Sequence, residues 1–421
     1  MHAIEWIDGE IVILDQTLLP HEEVLRTLSS VGDIAEAIVS MRVRGAPALG
    51  IVGAMGVAQA ALRPPTSSAK KVLERADDAG RELAATRPTA VNLAWGIDRV
   101  LKHAHAIGLT AGPQRLAAAM VAEALAIQAE DERACDAMAR NALDFFAPQG
   151  VVLTHCNTGM LCTGGVGTAL GAIRYAHDEG LGVAVVACET RPLLQGARLT
   201  AWELQKLHIP HALIVDSAAA GLMARGEISL VVVGADRVAA NGDVANKVGT
   251  YGHALAAKAN GIPFIVVAPT SSIDLSVDSG NKIDIEERDA YEVTSVRGVS
   301  VAPIGTNALN PAFDITPADL IMAIVTERGV ARAPFTRSLA EMLGAHARSN
   351  AARSAPKAKT KAKPKPAPKA NPKPAPRAKA KPQPLSKTKP KVRVVSSKVK
   401  PLPAKTKRAP SRAKAPKKRA K

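Results

Sequence analysis

From Gly150 onward the chain alternates short, almost wholly apolar runs with helical patterns, and nothing else in the sequence constrains the fold as strongly. Residues 151–154, 182–187, 212–215, 230–233, 264–268 and 321–325 read as strands. Helical patterns fall between them at 167–179, 200–207, 217–225 and 247–260. Strands that are apolar on both faces need cover on both faces, and crossover helices supply it. The prediction is an α/β fold with a Rossmann-like parallel sheet. In such sheets ligands bind beyond the carboxyl ends of the strands.

The first half has a different texture. Asp8-Gly9 between two strand-like runs, 4–7 and 10–14, predicts a β-hairpin. Helical patterns follow at 34–41 with Asp33 as N-cap, at 48–62 as a buried Ala/Gly/Val helix, and at 69–86. Others follow at 90–106, with Pro88 near its first turn, and at 113–145, long and Ala-rich. The expected organisation is a mostly helical amino-terminal domain over 1–140, a Rossmann-like catalytic domain over 141–345, and a tail over 346–421.

Charge sets that tail apart. The chain has 55 Lys+Arg and 38 Asp+Glu, a net of +17, but its last acid is Glu341. Residues 348–421 hold 27 basic residues and 14 prolines, leaving residues 1–347 acidic at −10. Proline blocks regular helix and the scarcity of large apolar residues blocks a core, so the tail is expected to be a disordered polycation. It carries no aromatic residue for base stacking, so its charge suits weak, non-specific binding to nucleic acid or another polyanion.

The four cysteines, Cys135, Cys156, Cys162 and Cys188, form no C-x-x-C pair and no zinc-ligand spacing with histidine, so no metal is expected. The amino terminus lacks a basic n-region and a long apolar run, and no apolar stretch reaches the roughly 20 residues of a membrane span. No secretory signal and no membrane partner are expected, and the cytoplasm is the expected location.

Two strands end on reactive side chains. The run at 151–154 leads into His155-Cys156-Asn157-Thr158-Gly159, and that at 230–233 into Gly234-Ala235-Asp236-Arg237. A thiol and a carboxylate at the ends of different strands can move protons on a small molecule. The bland alternatives are a buried cysteine acting as a small hydrophobe and an aspartate serving as N-cap or salt-bridge partner. Cys162 and Cys188 read as structural, although Cys188 also ends a strand. Arg44-Gly45-Ala46-Pro47 opens a helix and suits a phosphate, with Arg44 as clamp, or else is an ordinary loop-to-helix junction. Asn246-Lys247 reads as a helix start, where a lysine is disfavoured unless it faces an anion. Arg87 and the stretch from Glu189 to Arg198, with Gln195, add polar groups to the same crevice.

Taken in series, these segments resemble the methylthioribose-1-phosphate isomerase family. The matching stretches are Arg44-Gly45-Ala46-Pro47, Thr86-Arg87-Pro88-Thr89-Ala90-Val91-Asn92-Leu93, Thr154-His155-Cys156-Asn157-Thr158-Gly159, Glu189-Thr190-Arg191-Pro192, Gly234-Ala235-Asp236-Arg237 and Asn246-Lys247-Val248-Gly249-Thr250-Tyr251. The resemblance spans residues 1 to about 345 and leaves the tail outside the family pattern. It implies isomerisation of 5-methylthioribose 1-phosphate to 5-methylthioribulose 1-phosphate in methionine salvage, without a cofactor and by a homodimer. It casts Asp236 as proton donor and Cys156 as its assistant, by proton transfer or hydride shift. Substrate contacts would fall on Arg44, Gly45, Ala46, Arg87, Gln195, Asn246 and Lys247. Two related groups offer alternatives: ribose-1,5-bisphosphate isomerases, and the non-catalytic regulatory subunits of a translation initiation exchange factor. The Cys156/Asp236 pair speaks against the scaffold reading.

Overall fold

The computed structural model describes residues 2–344, Thr89 excepted. The polycationic tail expected over 346–421 lies outside the described residues. Strands β1 (Ile4–Ile7) and β2 (Glu10–Leu14) pair antiparallel across the Asp8-Gly9 turn. Both turn residues have positive φ, 50° and 85°, which a tight hairpin turn of this hand requires. A third strand, β3 (Leu25–Leu28), extends the hairpin into a three-stranded sheet. It went unread because three of its four residues are exposed and carry no apolar alternation.

Five helices follow: α1 (Val31–Val39), α2 (Ala46–Leu62), α3 (Ala69–Thr86), α4 (Val91–Ile107) and α5 (Pro113–Ala142). Ser30, not Asp33, caps α1: its hydroxyl accepts from the Asp33 N–H, and the Asp33 carboxylate in turn takes the Ser30 hydroxyl and Ser29 N–H. Pro88 stands outside α4, which starts at Val91. The central helix is α2, buried on almost every side and packed by α3, α4 and α5. Its glycines admit close neighbours; a methyl group on Gly96 of α4 would sit 2.2 Å from the Gly50 carbonyl oxygen. The 30 residues of α5 run unbroken, with Leu116–Ile127 in the amino-terminal core and Cys135, Met138 and Ala142 in the next.

All six expected strands form. β4 (Val151–Thr154), β5 (Ala184–Cys188), β6 (His211–Ile214), β7 (Leu230–Val233), β10 (Phe264–Val267) and the strand Ala323–Thr326 lie parallel in one seven-stranded sheet. Strands β8 (Arg237–Ala239) and β9 (Val244–Lys247) intervene in sequence and belong elsewhere. The spatial order runs from Gly329–Ala331, antiparallel at one edge, through Ala323–Thr326, β10, β7, β4 and β5 to β6. Val152, Val185, Val232 and Ile265 face α5 and α6 (Ala169–Asp178). Leu153, Val231, Val233, Phe264 and Val266 face α8 (Ala219–Ala224) and α9 (Thr250–Ala259), whereas α7 (Ala201–Lys206), between β5 and β6, adds Leu204 to the α5 and α6 side. Cover on both faces is what the apolar strands demanded.

The sheet formed by 237–316 was not anticipated. β8 and β9 pair antiparallel, β8 takes a short strand at Ile273–Asp274, and β9 takes Phe313–Thr316. It stands as a second wall beside the carboxyl end of β7. Among the described residues no helix is long and apolar enough to cross a membrane.

Candidate active site

Where β4 ends, the chain turns sharply to present Cys156. Its φ of 64° lies in the left-handed region, uncommon for a side chain this size. Two bonds hold the turn: the Cys156 N–H donates to Thr190 Oγ1 at 2.9 Å, and the Thr200 hydroxyl donates to the Cys156 carbonyl at 2.6 Å. Backbone held in such a region by its surroundings is common at functional sites. Asp236 sits between β7 and β8, its N–H bonded to the Ala245 carbonyl at 2.9 Å.

Both side chains line one cavity of about 120 Å³. Arg44, Gly45, Ala46, Arg87, Gln195 and Lys247 line it with them, so eight of the nine residues singled out in the sequence come together. Asn246 does not. It is buried on the far face of β9, with its amide donating to Thr250 Oγ1 at 3.1 Å. Lys247 ends a strand and does not start a helix, since α9 begins only at Thr250. Adjacent strand residues face opposite sides, so Lys247 enters the cavity and Asn246 leaves it.

Gly45 is the N-cap of α2 at φ 100°, and a methyl group there would lie 2.3 Å from Cys162 Cβ. No side chain caps this end, and Gly45, Ala46 and Leu49 line the cavity, so an open helix start borders it, an arrangement suited to a phosphate.

The charges divide into paired and unpaired. Arg87 and Arg288 both bind Glu286, at 2.9 and 2.8 Å; Arg288 also binds Glu292, and Arg237 binds Asp274 at 2.6 Å. Arg44 and Lys247 have no acid partner among the described residues. The Arg44 guanidinium binds the Asn157 side-chain and main-chain oxygens, and its Nε, though buried, has no partner. Lys247 Nζ donates to the Ala312 carbonyl at 2.8 Å and stands 4.7 Å from the centre of the Phe313 ring. Gln195 is buried with its Oε1 unpartnered. A buried polar atom without a partner is costly, and a polar ligand would supply one.

Burial pushes the Asp236 carboxyl above the ordinary range, against the pull of Lys247, Arg87 and Arg44. Burial likewise lowers Lys247, against the pull of Cys156 and Asp236. A carboxyl raised toward neutrality can both give and take a proton. Cys162 and Cys188 are buried, burial raises both thiols, and neither lines the cavity.

Behind Cys156 the fold gathers His155, His253 and Cys188, whose donor atoms lie within 4.8 Å of one another. This is the one group of metal-ligand type among the described residues, and chain spacing gave no sign of it. Hydrogen bonds already account for its imidazoles. The Val248 carbonyl can only accept, so His155 Nε2 carries a proton toward it at 2.9 Å, and His155 Nδ1 accepts from His253 Nε2 at 3.3 Å. Burial holds both rings neutral, lowering His155 to about 4 and His253 to about 3.

The sequence profile of the initiation factor 2 subunit family matches residues 42–333. A methylthioribose-1-phosphate isomerase of Geobacter metallireducens is 50% identical over 337 residues, 80% of this chain and 97% of that one. The chain belongs to this family. A second such isomerase, from Pelotomaculum thermopropionicum, is also 50% identical, over 80% of this chain and 93% of its own length. The 5-methylthioribose 1-phosphate isomerase structure from Pyrococcus horikoshii superimposes with a TM-score of 0.78 at 40% identity, covering 82% of this chain and 96% of that one. The delta subunit of translation initiation factor eIF-2B from A. fulgidus gives 0.75 at 38% identity, with 82% and 99% covered.

Several wall residues escaped the sequence reading: Met41, Leu49, Leu193, Ile283, Glu286, Arg288 and Phe313 all line the cavity. The only signal was the alternation of apolar and acidic residues in Ile283-Asp284-Ile285-Glu286, which precedes Arg288.

Proposed function

We propose that this chain isomerises 5-methylthioribose 1-phosphate to 5-methylthioribulose 1-phosphate, the aldose–ketose step of methionine salvage. The observation that carries the proposal is the cavity's charge pattern. Cys156 and a raised Asp236 share it with two cations, Arg44 and Lys247, that have no acid partner among the described residues. Two unpaired cations and one open helix end suit a single phosphate dianion. Met41, Leu49, Leu193 and Phe313 add an apolar patch that suits a thioether, and the wall's other cations, Arg87, Arg237 and Arg288, are already bound to Glu286, Asp274 and Glu292.

The chemistry explains the residue types. A phosphate on the anomeric oxygen prevents the sugar ring from opening unaided, so the enzyme must open it. Protonated Asp236 donates to the ring oxygen as the C1–O bond breaks. Hydrogen then moves from C2 to C1, with Cys156 serving the carbon-bound proton or the charge that develops, and the C2 hydroxyl becomes the ketone by giving its proton to the Asp236 carboxylate, which restores the acid. Gln195 Oε1 accepts from a sugar hydroxyl; Arg44, Gly45 and Ala46 hold the phosphate, Lys247 neutralises it, and Arg87 borders it. Asn246 acts one step back, through Thr250. No bound cofactor enters the scheme.

Two further readings complete the proposal: the chain works as a homodimer in the cytoplasm, and residues 348–421 bind polyanions weakly through charge alone. Polyanion binding should weaken steeply with salt, and removal of the tail should leave turnover intact.

The test is turnover of 5-methylthioribose 1-phosphate by wild type, Cys156→Ala and Asp236→Asn. Collapse in both folded variants supports the assignment, and full activity in either overturns its role. Solvent deuterium in the product supports proton transfer; quantitative passage of a C2 deuterium to C1 overturns it in favour of a hydride shift.

A further inference from the structure

Two acids of the described residues are almost wholly buried, and they are handled differently. Asp15 is clasped by Arg26 and Arg42. Glu203, only 2% exposed, touches no cation. Its Oε1 accepts from the Asn157 side-chain amide at 2.7 Å, and its Oε2 accepts from the Met160 N–H at 2.8 Å. Space is cleared for it, since a methyl group on Gly159 would lie 2.0 Å from that Oε2. On the other side of the same amide, Asn157 Oδ1 accepts from the Arg44 guanidinium.

We infer that Glu203 is a positioning residue for the phosphate-binding wall: it orients the Asn157 amide so that Oδ1 faces Arg44 and holds that guanidinium against the cavity. The inference rests on the function proposed above. An amide has one donor end and one acceptor end. An acceptor-only carboxylate at one end fixes which way the amide points, and the oxygen must then meet the arginine. Glu203 becomes a counter-charge delivered at one remove. Arg44 stays oriented without a directly bonded acid that would compete with phosphate for it.

The support extends to the reacting thiol. Glu203 lies on α7, which continues a π-helical turn at Gly196–Thr200. Thr200 in that turn donates to the Cys156 carbonyl and accepts from the Asn157 amide at 3.3 Å. Gln195, just before the turn, lines the cavity. The turn is jammed in place: a methyl group on Gly196 would lie 1.7 Å from the Cys188 carbonyl oxygen at the end of β5. One helical stretch thus carries Gln195, steadies Cys156 and sets Arg44. Single π-helical turns within helices are frequently found at functional sites.

The experiment is a double-mutant cycle between Glu203→Gln and Asn157→Ala, read by kcat and KM for 5-methylthioribose 1-phosphate. In Glu203→Gln one oxygen becomes a donor, so the side chain cannot accept from both Asn157 and Met160. The expected result is a KM raised on the order of tenfold, the scale of one charge-assisted hydrogen bond, with kcat little changed. Asn157→Ala should give the same rise and the double variant no more, because both break one relay. Additive losses, or an unchanged KM in Asn157→Ala, overturn the inference; the second arm holds even if Glu203→Gln fails to fold. Calorimetric titration with inorganic phosphate reads the same coupling without turnover. Coupled losses of phosphate affinity in a chain that turns over no sugar would sustain the relay and overturn the proposed function instead.

Discussion

The two sheets that meet at the cavity are built in opposite ways. In the seven-stranded parallel sheet, β4, β7 and β10 are buried along almost their whole length, and helices close both faces. In the side sheet, Arg237 and Asp274 pair at 2.6 Å on neighbouring strands, and Lys247 is held by a carbonyl and an aromatic ring. The parallel sheet delivers Cys156 at a strand end and Asp236 just past another, where the two sheets join. The side sheet delivers Lys247 and Phe313, and the loop before its last strand delivers Glu286 and Arg288. Apolar strands make a platform for the proposed reacting pair, and a polar sheet supplies charge around it.

The largest expected effect comes from the platform. Asp236→Asn should lower kcat by about a thousandfold or more, at the upper part of the range for a lost acid–base group, with the fold intact by circular dichroism. Next is Gly45→Ala, which forces a side chain into φ 100° and against Cys162. It should destabilise the chain by roughly 1–3 kcal/mol and weaken substrate binding, read by thermal melting and KM. Within the side sheet, Lys247→Met should raise KM for the sugar phosphate by roughly tenfold to a hundredfold while sparing the melting temperature, since burial already disfavours the charge that is removed. Glu286→Gln should change KM about severalfold, because it frees Arg87 and leaves Arg288 to Glu292 alone. Equal losses of kcat in the Lys247 and Asp236 variants would erase the proposed division of labour.

How legible each region was follows from the same contrast. A run such as Leu230-Val231-Val232-Val233 can be satisfied by little other than a buried strand, and its end marked Asp236. The strand β9, Val244-Ala245-Asn246-Lys247, has no such texture; its alternation was hidden by the helix that follows, and Lys247 was therefore read at a helix start. Arg44 was legible from the Gly and Pro beside it. Glu286 was not, because it reaches the site from a loop whose position depends on pairing between β9 and Phe313–Thr316. Non-local pairing leaves almost no mark on local sequence.

Acidity offers a finer probe. Asp236 is raised by burial, so its protonated form should persist above the ordinary carboxyl range, and activity that needs it should fall as pH rises through that value. The smallest effect lies behind the site. His155 and His253 stay neutral in the fold down to about 4 and about 3, whereas unfolded histidine titrates near 6.5. Their contribution to stability is whole above about pH 6.5 and is lost as pH falls toward 4, because the unfolded chain binds more protons there. His253→Gln should flatten that part of the stability–pH curve; an unchanged slope would contradict neutral burial of the pair.

The most direct test of the central claim is the ratio of kcat/KM for 5-methylthioribose 1-phosphate to that for ribose 1,5-bisphosphate, measured on the full-length chain. A cavity with one unpaired cationic nest, its other arginines already bound to acids, predicts a ratio of at least about a thousand, since a second phosphate would have to displace those acids or lie unpaired. A ratio near or below one would contradict the account.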